Sequence, residues 1–237
     1  MRDNNFIIEN NAKHLWHPMG APRDSINNPP KVITNANGSQ ISDIDGHTTV
    51  DAVGGLWCVN LGYSNEAVKK AISEQLNHLP YYSGFAGTTN PAAIEASFMV
   101  KEMFKADGME KVFFTSGGSD SVETCLRLSR QYHRLRGEPT RTKFISLKKG
   151  YHGTHFGGAS VNGNNRFRIA YEPLLPGCFH LPSPYTYRNP FNETDPQKLA
   201  LNIAQTFEDE IAFQDKNTIA AFIMEPIQGA GGVIVPD

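Results

Sequence analysis

Hydrophobic and polar positions near the start of the chain alternate over short runs. Between residues 31 and 51, the β-type runs 32–34 and 41–44 are separated by Asn37-Gly38. Asn-Gly favours a tight hairpin turn because both of its positions tolerate a positive φ. The pattern therefore predicts a small antiparallel sheet in this part of the chain.

Other segments show the period of an amphipathic helix, and most of them begin at a recognisable start signal. Ser64 is placed to cap one helix, and Asn90-Pro91 and Asp195-Pro196 each put a proline at the first helical position. The predicted helices cover 7–15, 64–79, about 90–104, 119–136 and a stretch from Asp195 to beyond Ile211.

Strands and helices alternate from residue 111 onward. Apolar and β-branched runs predict strands at 111–115, 143–147 and 218–224, separated by helical segments. Residues 150–163 are rich in glycine, and 164–194 show no clear periodicity. This alternation predicts an α/β fold with a mainly parallel sheet covered on both faces, in which ligands bind at the carboxyl ends of the strands.

Composition narrows the classes of partner. The chain has 237 residues, 39% of them hydrophobic and 19% charged, and a net charge of −2, so nothing favours nucleic acid or an anionic membrane as a partner. The three cysteines show no CxxC pattern, which argues against a disulfide framework or a metal site. No apolar run resembles a signal peptide or a membrane span, so we expect a cytoplasmic protein.

Three segments combine small residues with the predicted carboxyl ends of strands. The first is Ser116-Gly117-Gly118-Ser119, where a helix begins; the others are Tyr151-His152-Gly153 and the stretch 224–232, which contains Glu225-Pro226. Exposed backbone N–H groups at a helix N-terminus bind phosphate well. The plain alternative for the first segment is an ordinary turn with a serine cap.

These three segments, in this order, resemble the class III (omega-type) aminotransferases, which are fold-type I enzymes that use pyridoxal 5'-phosphate (PLP). The resemblance runs from about Trp16 to the last residue. It implies a three-layer α/β domain with a small N-terminal α/β segment. In those terms, residues 1–60 belong to the small domain and 61–237 form the front part of the large PLP-binding domain.

The resemblance also implies cofactor-binding residues. Gly118 and Ser119 match the phosphate-binding turn, whereas Gly117 stands where the family usually has a serine, so less side-chain contact is expected there. Tyr151 would stack on the pyridine ring, which is worth ~1 kcal/mol beyond burial. The family's positions further imply that His152 supports this loop or neighbours the ring, and that Glu225 orders the polar groups beside the cofactor.

Two aromatic residues match the family's substrate pocket. Trp57 lies in the segment 54–58, and its alternative role is that of a core tryptophan. Phe85 matches an aromatic residue on a loop that reaches into the partner subunit's active site. The resemblance therefore implies a homodimer with shared active sites.

No lysine of this chain matches the family's Schiff-base lysine, and no catalytic residue is assigned within residues 1–237. We expect the chain to be the N-terminal part of a longer enzyme that moves an amino group from an omega-amino acid or amine to a keto acid, with pyruvate as the expected acceptor. The alternatives are an aminomutase or decarboxylase of the same fold, or a short non-catalytic binding or regulatory protein.

Overall fold

The computed structural model describes residues 2–236, which form two compact units on either side of the Glu102–Met103 bond. The predicted domain boundary after residue 60 stays a prediction, because it refers to the domains of a complete enzyme. None of the helices in the described residues is long and apolar enough to cross a membrane.

The first unit contains a three-stranded antiparallel sheet. Its elements are α1 (Asn4–His14), α2 (Pro22–Asn27), β1 (Ile33–Asn37), β2 (Gln40–Asp43), β3 (Thr48–Val50), α3 (Gly54–Trp57), α4 (Glu66–His78) and α5 (Pro91–Met103). The strand order is β1-β2-β3. Asn37 pairs with Gln40 across the predicted turn, and Gly38 has a φ of +56°. The predicted hairpin region is thus confirmed.

The predicted cap of α4 is wrong by one residue. The side chain of Asn65, not that of Ser64, accepts the hydrogen bond from the N–H of Val68 at 3.1 Å. The Ser64 hydroxyl instead accepts from the N–H of Gly38 at 2.9 Å. Ser64, which the local sequence predicts as the helix cap, therefore contacts the hairpin turn instead.

The second unit is built on a parallel sheet. Its elements are α6 (Gly118–Leu135), β4 (Lys143–Leu147), α7 (Phe156–Val161), β5 (Cys178–Leu181), α8 (Pro196–Gln214) and β6 (Ile219–Ile223), with 3₁₀ turns at Lys105–Asp107, Asn165–Phe167, Ile169–Tyr171 and Lys216–Thr218. The strand order is β5-β4-β6, and both pairings are parallel. The predicted mainly parallel sheet is confirmed.

Hydrophobic clusters lie on both faces of the central strand β4. On one face, buried Phe144 packs with Leu126 of α6 and Val161 of α7. On the other face, Ile145 and Leu147 form a cluster with Leu181, against which partly buried residues of α8 pack. Because successive side chains of a strand point to opposite faces, this arrangement gives a helix–sheet–helix sandwich. The predicted three-layer architecture is confirmed.

Three expectations for the second unit need correction. Residues 111–115 run without strand pairing to any described strand, and Phe113 and Phe114 are 71% and 55% exposed, so the predicted strand is wrong here. A strand requires a hydrogen-bonded neighbour, and local propensity cannot supply one. The glycine-rich stretch contains α7, and the stretch without periodicity contains β5; both are too short to show a clear period.

Candidate functional site

The N-terminus of α6 presents backbone amides that no described residue uses. Gly117, the residue before the helix, is extended and has no side chain that could cap it. Among the described residues, no group accepts a hydrogen bond from the amides of Gly118, Ser119 or Asp120. A Cβ built on Gly117 or Gly118 would meet nothing within 4 Å. The helix N-terminus is therefore open to an anion.

Ser119 joins this helix to the loop that carries Tyr151. Its hydroxyl oxygen accepts a hydrogen bond from the N–H of Thr154 at 3.1 Å. A Cβ on Gly153 would lie 2.7 Å from the same oxygen, so only glycine fits beside it. Ser119 is the second residue of the helix, and the serine-cap alternative is therefore wrong. No described residue accepts the hydroxyl proton, which leaves Ser119 able to donate to a bound anion.

Tyr151 is held both through its backbone and through its ring. Its N–H donates to Oε2 of Glu225 at 2.8 Å. The half-buried ring meets the ring of Phe167 edge-on, with centroids 4.8 Å apart and an interplanar angle of 61°. This contact limits the orientations that the tyrosine ring can take.

Glu225 lies two residues after the end of β6 and accepts two backbone hydrogen bonds. Its Oε2 accepts from Tyr151, and its Oε1 accepts from the N–H of Gly229 at 3.2 Å. A half-buried carboxylate needs hydrogen-bond partners, and these two amides provide one for each oxygen. Glu225 thus ties the Tyr151 loop to the segment after β6.

His152 is 5% exposed and lies in a polar clamp that the sequence did not indicate. Its N–H donates to Oδ1 of Asn162, and Nδ2 of Asn162 donates to the carbonyl oxygen of Gly153 at 2.8 Å. Nε2 of His152 has no hydrogen-bond partner among the described residues. Burial, with a smaller contribution from His180, lowers the pKa of His152 to about 4, so its ring is neutral at pH 7.

Glu123, on α6, is a second residue that sequence reasoning missed. Its Oε2 accepts from the N–H groups of Gly157 and Gly158 at 3.0 and 3.3 Å, which satisfies the start of α7. A Cβ on Gly158 would lie 2.6 Å from the carbonyl oxygen of His152. The glycines therefore allow α7 to pack directly on the loop 151–154.

Gln228 completes the network around the carboxyl end of β4. It is 1% exposed, accepts from the hydroxyl of Ser183, and donates to the carbonyl oxygen of Lys148 at 3.1 Å. Nothing in the glycine-rich segment 224–232 indicated that Gln228 would have this role. The only available hint was the position of the stretch after a predicted strand.

Trp57 and Phe85 lie in the first unit. Trp57 is 62% exposed with a φ of +66°, so it lies outside the hydrophobic core that the described residues form. Phe85 is 96% exposed, and its N–H donates to the hydroxyl of Ser83 at 3.2 Å. Their roles in a substrate pocket stay predictions.

The second unit brings Ser119, Tyr151, His152 and Glu225 into one hydrogen-bonded network, through residues 151–158 and the additional side chains Glu123 and Asn162. Gly117 and Gly118 lie at its open end, as the backbone of the α6 N-terminus. The roles of these residues toward a cofactor stay predictions.

The sequence is similar to those of aminotransferases from other organisms. A family model described as aminotransferase class III matches residues 22–237. The chain is 37% identical to putrescine–pyruvate aminotransferase of Pseudomonas aeruginosa over 206 residues, which cover 87% of this chain and 45% of that protein. It is 34% identical to an omega-aminotransferase of Caulobacter vibrioides, covering 96% of this chain and 51% of the other.

Solved structures of transaminases are similar to the fold of this chain. An amine transaminase from an uncultivated Pseudomonas species, in its PLP-bound form, superposes with a TM-score of 0.91 at 46% identity, covering 94% of this chain and 50% of that one. An (S)-enantioselective omega-transaminase from Thermomicrobium roseum gives a TM-score of 0.94 at 32% identity, covering 100% and 52%. The chain spans about half the length of these relatives. It belongs to the class III aminotransferases, with the fold of the PLP-dependent transaminases.

Proposed function

We propose that the intact protein is a PLP-dependent aminotransferase that moves an amino group from an omega-amino acid or amine to a keto acid, with pyruvate as the acceptor. The observation that carries the proposal is the set of unused amides at Gly118, Ser119 and Asp120, beside the loop that Ser119 ties to the same helix. Family membership supports the reaction class.

The residues present fit a PLP phosphate. The open space at Gly117 and Gly118 leaves room for phosphate oxygens, and the helix dipole adds attraction for the negative charge. The Ser119 hydroxyl would add one hydrogen bond while its oxygen still accepts from Thr154. Tyr151, steadied by Phe167, would offer its ring to the pyridine.

When bound, PLP supplies a carbonyl group that takes up the amino group and a ring that withdraws electrons. Glu225 fixes the backbone of Tyr151 through a charge-assisted hydrogen bond, so the tyrosine ring is positioned before cofactor arrives. The buried ring of His152 is neutral at pH 7, and the clamp that Asn162 closes holds the backbone of this residue in the same loop. Because no lysine here matches the Schiff-base lysine, we place the proton-transfer steps in a part of the intact protein outside residues 1–237.

We further propose that Trp57 and Phe85 shape an aromatic-walled substrate pocket in a homodimer with shared sites. Their high exposure in this chain leaves both rings available for a substrate or a second subunit. Two of the relatives are named as a putrescine–pyruvate aminotransferase and a gamma-aminobutyrate transaminase. These names support an amine or an omega-amino acid as the amino donor.

The test uses the intact protein with PLP. Mixing with putrescine or gamma-aminobutyrate alone is expected to convert the cofactor to its pyridoxamine form and to release a carbonyl product. Pyruvate is then expected to restore the pyridoxal spectrum and to yield alanine. Release of carbon dioxide from the donor would favour the decarboxylase instead, and isomerisation without a keto acid would favour the aminomutase.

Oligomeric state and pocket are tested separately. Sedimentation is expected to show a dimer, and Phe85→Ala is expected to raise KM for the amine more than it lowers the rate of the half-reaction. A fully active monomer at high dilution would contradict the shared site. Leu201→Ala, which removes a 70% exposed apolar side chain from α8, is the matched control.

A further inference from the structure

A cavity of about 650 Å³ lies in the second unit beside the carboxyl end of β4. It is a concave space separate from the N-terminus of α6, because none of the predicted cofactor-binding residues lines it. Its walls are formed by Lys148, Lys149, Gly163, Asn164, Asn165, Arg168, His180 and Gly231.

The walls carry basic groups and no carboxylate. The charge of Arg168 is paired with a carboxylate outside the lining, because its Nη2 lies 3.0 Å from Oε1 of Glu172. Nη1 of the same guanidinium donates to Nε2 of His180 at 2.9 Å and to the carbonyl oxygen of Asn162 at 3.1 Å. Burial and the charge of Arg168 lower the pKa of His180, which favours its neutral, accepting form. The uncompensated charge of the cavity therefore resides on the two lysines.

Neither Lys148 nor Lys149 is within ion-pairing distance of a carboxylate among residues 2–236. The Nζ atom of Lys149 lies 4.9 Å from the centroid of the Tyr185 ring, a contact that leaves its positive charge uncompensated. A single exposed lysine is ordinarily just solvated. Here two lysines that are adjacent in sequence line one cavity together with the amide-bearing Asn164 and Asn165.

The backbone holds Lys149 in an unusual conformation. Its φ is +67°, which is rare for a residue with a side chain. The N–H of Lys149 donates to the carbonyl oxygen of Gly163 at 2.8 Å, and the N–H of Gly163 donates to Gly150 at 3.0 Å. Gly231 packs so closely that a Cβ there would lie 2.8 Å from the carbonyl oxygen of Lys149. Residues that their surroundings hold in such a rarely populated conformation are concentrated at binding sites.

We propose that this cavity binds a small dianion, of the phosphate or dicarboxylate kind, through the ammonium groups of Lys148 and Lys149. Both lysines line this one cavity, and their two positive charges match the two negative charges of such a ligand. The amide groups of Asn164 and Asn165 supply further donors for its oxygens. The site is additional to the proposed PLP phosphate site at Gly118 and Ser119 and does not depend on it.

The proposal is tested by the rates at which individual lysine side chains of the intact protein are acylated. Mass spectrometry measures the rate for each lysine separately. Inorganic phosphate or succinate is added, and sodium chloride at equal ionic strength is the reference. Both lysines are expected to react more slowly with at least one of the two dianions, while Lys198 of α8 keeps its rate. Protection by phosphate alone identifies a phosphate site, and protection by succinate alone a dicarboxylate site. No protection, or equal protection of Lys198, overturns the proposal.

Variants separate this site from the cofactor site. Lys149→Met keeps an unbranched side chain at the same φ and is expected to weaken the protection of Lys148 about tenfold. Lys198→Met removes the same charge from α8 and is expected to change nothing. Gly118→Val is expected to leave the protection intact. If Gly118→Val abolishes the protection while Lys149→Met preserves it, the anion binds at α6 and the proposal is wrong.

Discussion

The backbone N–H of Tyr151 donates a 2.8 Å hydrogen bond to Oε2 of Glu225, across 74 positions of sequence. The other carboxylate oxygen accepts from Gly229. One side chain thereby fixes both the loop after β4 and the segment after β6, the outgoing ends of two neighbouring parallel strands. The position of the proposed cofactor-stacking ring depends on this link.

Replacing Glu225 should weaken cofactor binding. Glu225→Gln keeps one acceptor oxygen but turns an amide toward Tyr151 or Gly229, so one backbone N–H loses its partner. A charge-assisted hydrogen bond is worth ~1.5–3 kcal/mol, and we expect PLP affinity to fall about tenfold or more. Titration of PLP into the apoprotein measures this. Glu208→Gln, an exposed change on α8, should leave affinity unchanged, and an equal loss in both variants would contradict the role of Glu225.

Gly118 and Ser119 should differ in what they disturb. A Cβ on Gly118 meets only open space, so Gly118→Val should change stability by no more than ~0.5 kcal/mol while its side chain blocks the phosphate. Ser119→Ala keeps the amide and should reduce PLP affinity about tenfold. PLP titration and thermal unfolding of both variants measure these effects. Ser129→Ala, on the same helix, is the control, and unchanged affinity in Gly118→Val would remove the phosphate from this turn.

Asn162 should matter for both stability and cofactor binding. Asn162→Ala leaves the N–H of His152 and the carbonyl oxygen of Gly153 without partners in a buried position. Each unpaired group costs ~1–3 kcal/mol, so the free energy of unfolding should fall by ~2–6 kcal/mol. Urea denaturation measures the loss, and Asn202→Ala on α8 serves as the control. A loss below ~1 kcal/mol would mean that water replaces the asparagine.

Stability should depend on pH through His152. Its pKa is lowered to about 4 in the folded protein from an ordinary value of 6.5, so between these values the unfolded chain binds a proton that the folded chain does not. Stability is therefore expected to fall as pH decreases from 6.5 to 4, by up to ~3 kcal/mol. Unfolding free energies of wild type and His152→Gln across this range isolate the contribution. Parallel curves for the two proteins would contradict it.

Local sequence was sufficient for the long elements of the fold. The helices α6 and α8 were predictable because their length gives periodicity room to show, and Asp195 caps α8 as its sequence indicates. The strands β4 and β6 were predictable because each consists mostly of apolar and β-branched residues. The elements α7 and β5 were missed because they are too short for a clear period and lie in glycine-rich or irregular stretches. The stretch 111–115 has strand propensity but no described neighbour to pair with.

The sequence by itself determined the family and the places where chemistry is concentrated, since the turn at Gly118, the Tyr151 loop and Glu225 are each recognisable from adjacent residues. Only the tertiary structure decided how they are joined. Asn162 closes a clamp ten positions away on His152, and Glu123 reaches the start of α7. Such contacts depend on where parallel strands bring distant segments together, and the backbone amides that they satisfy carry no side-chain signature that a sequence could show.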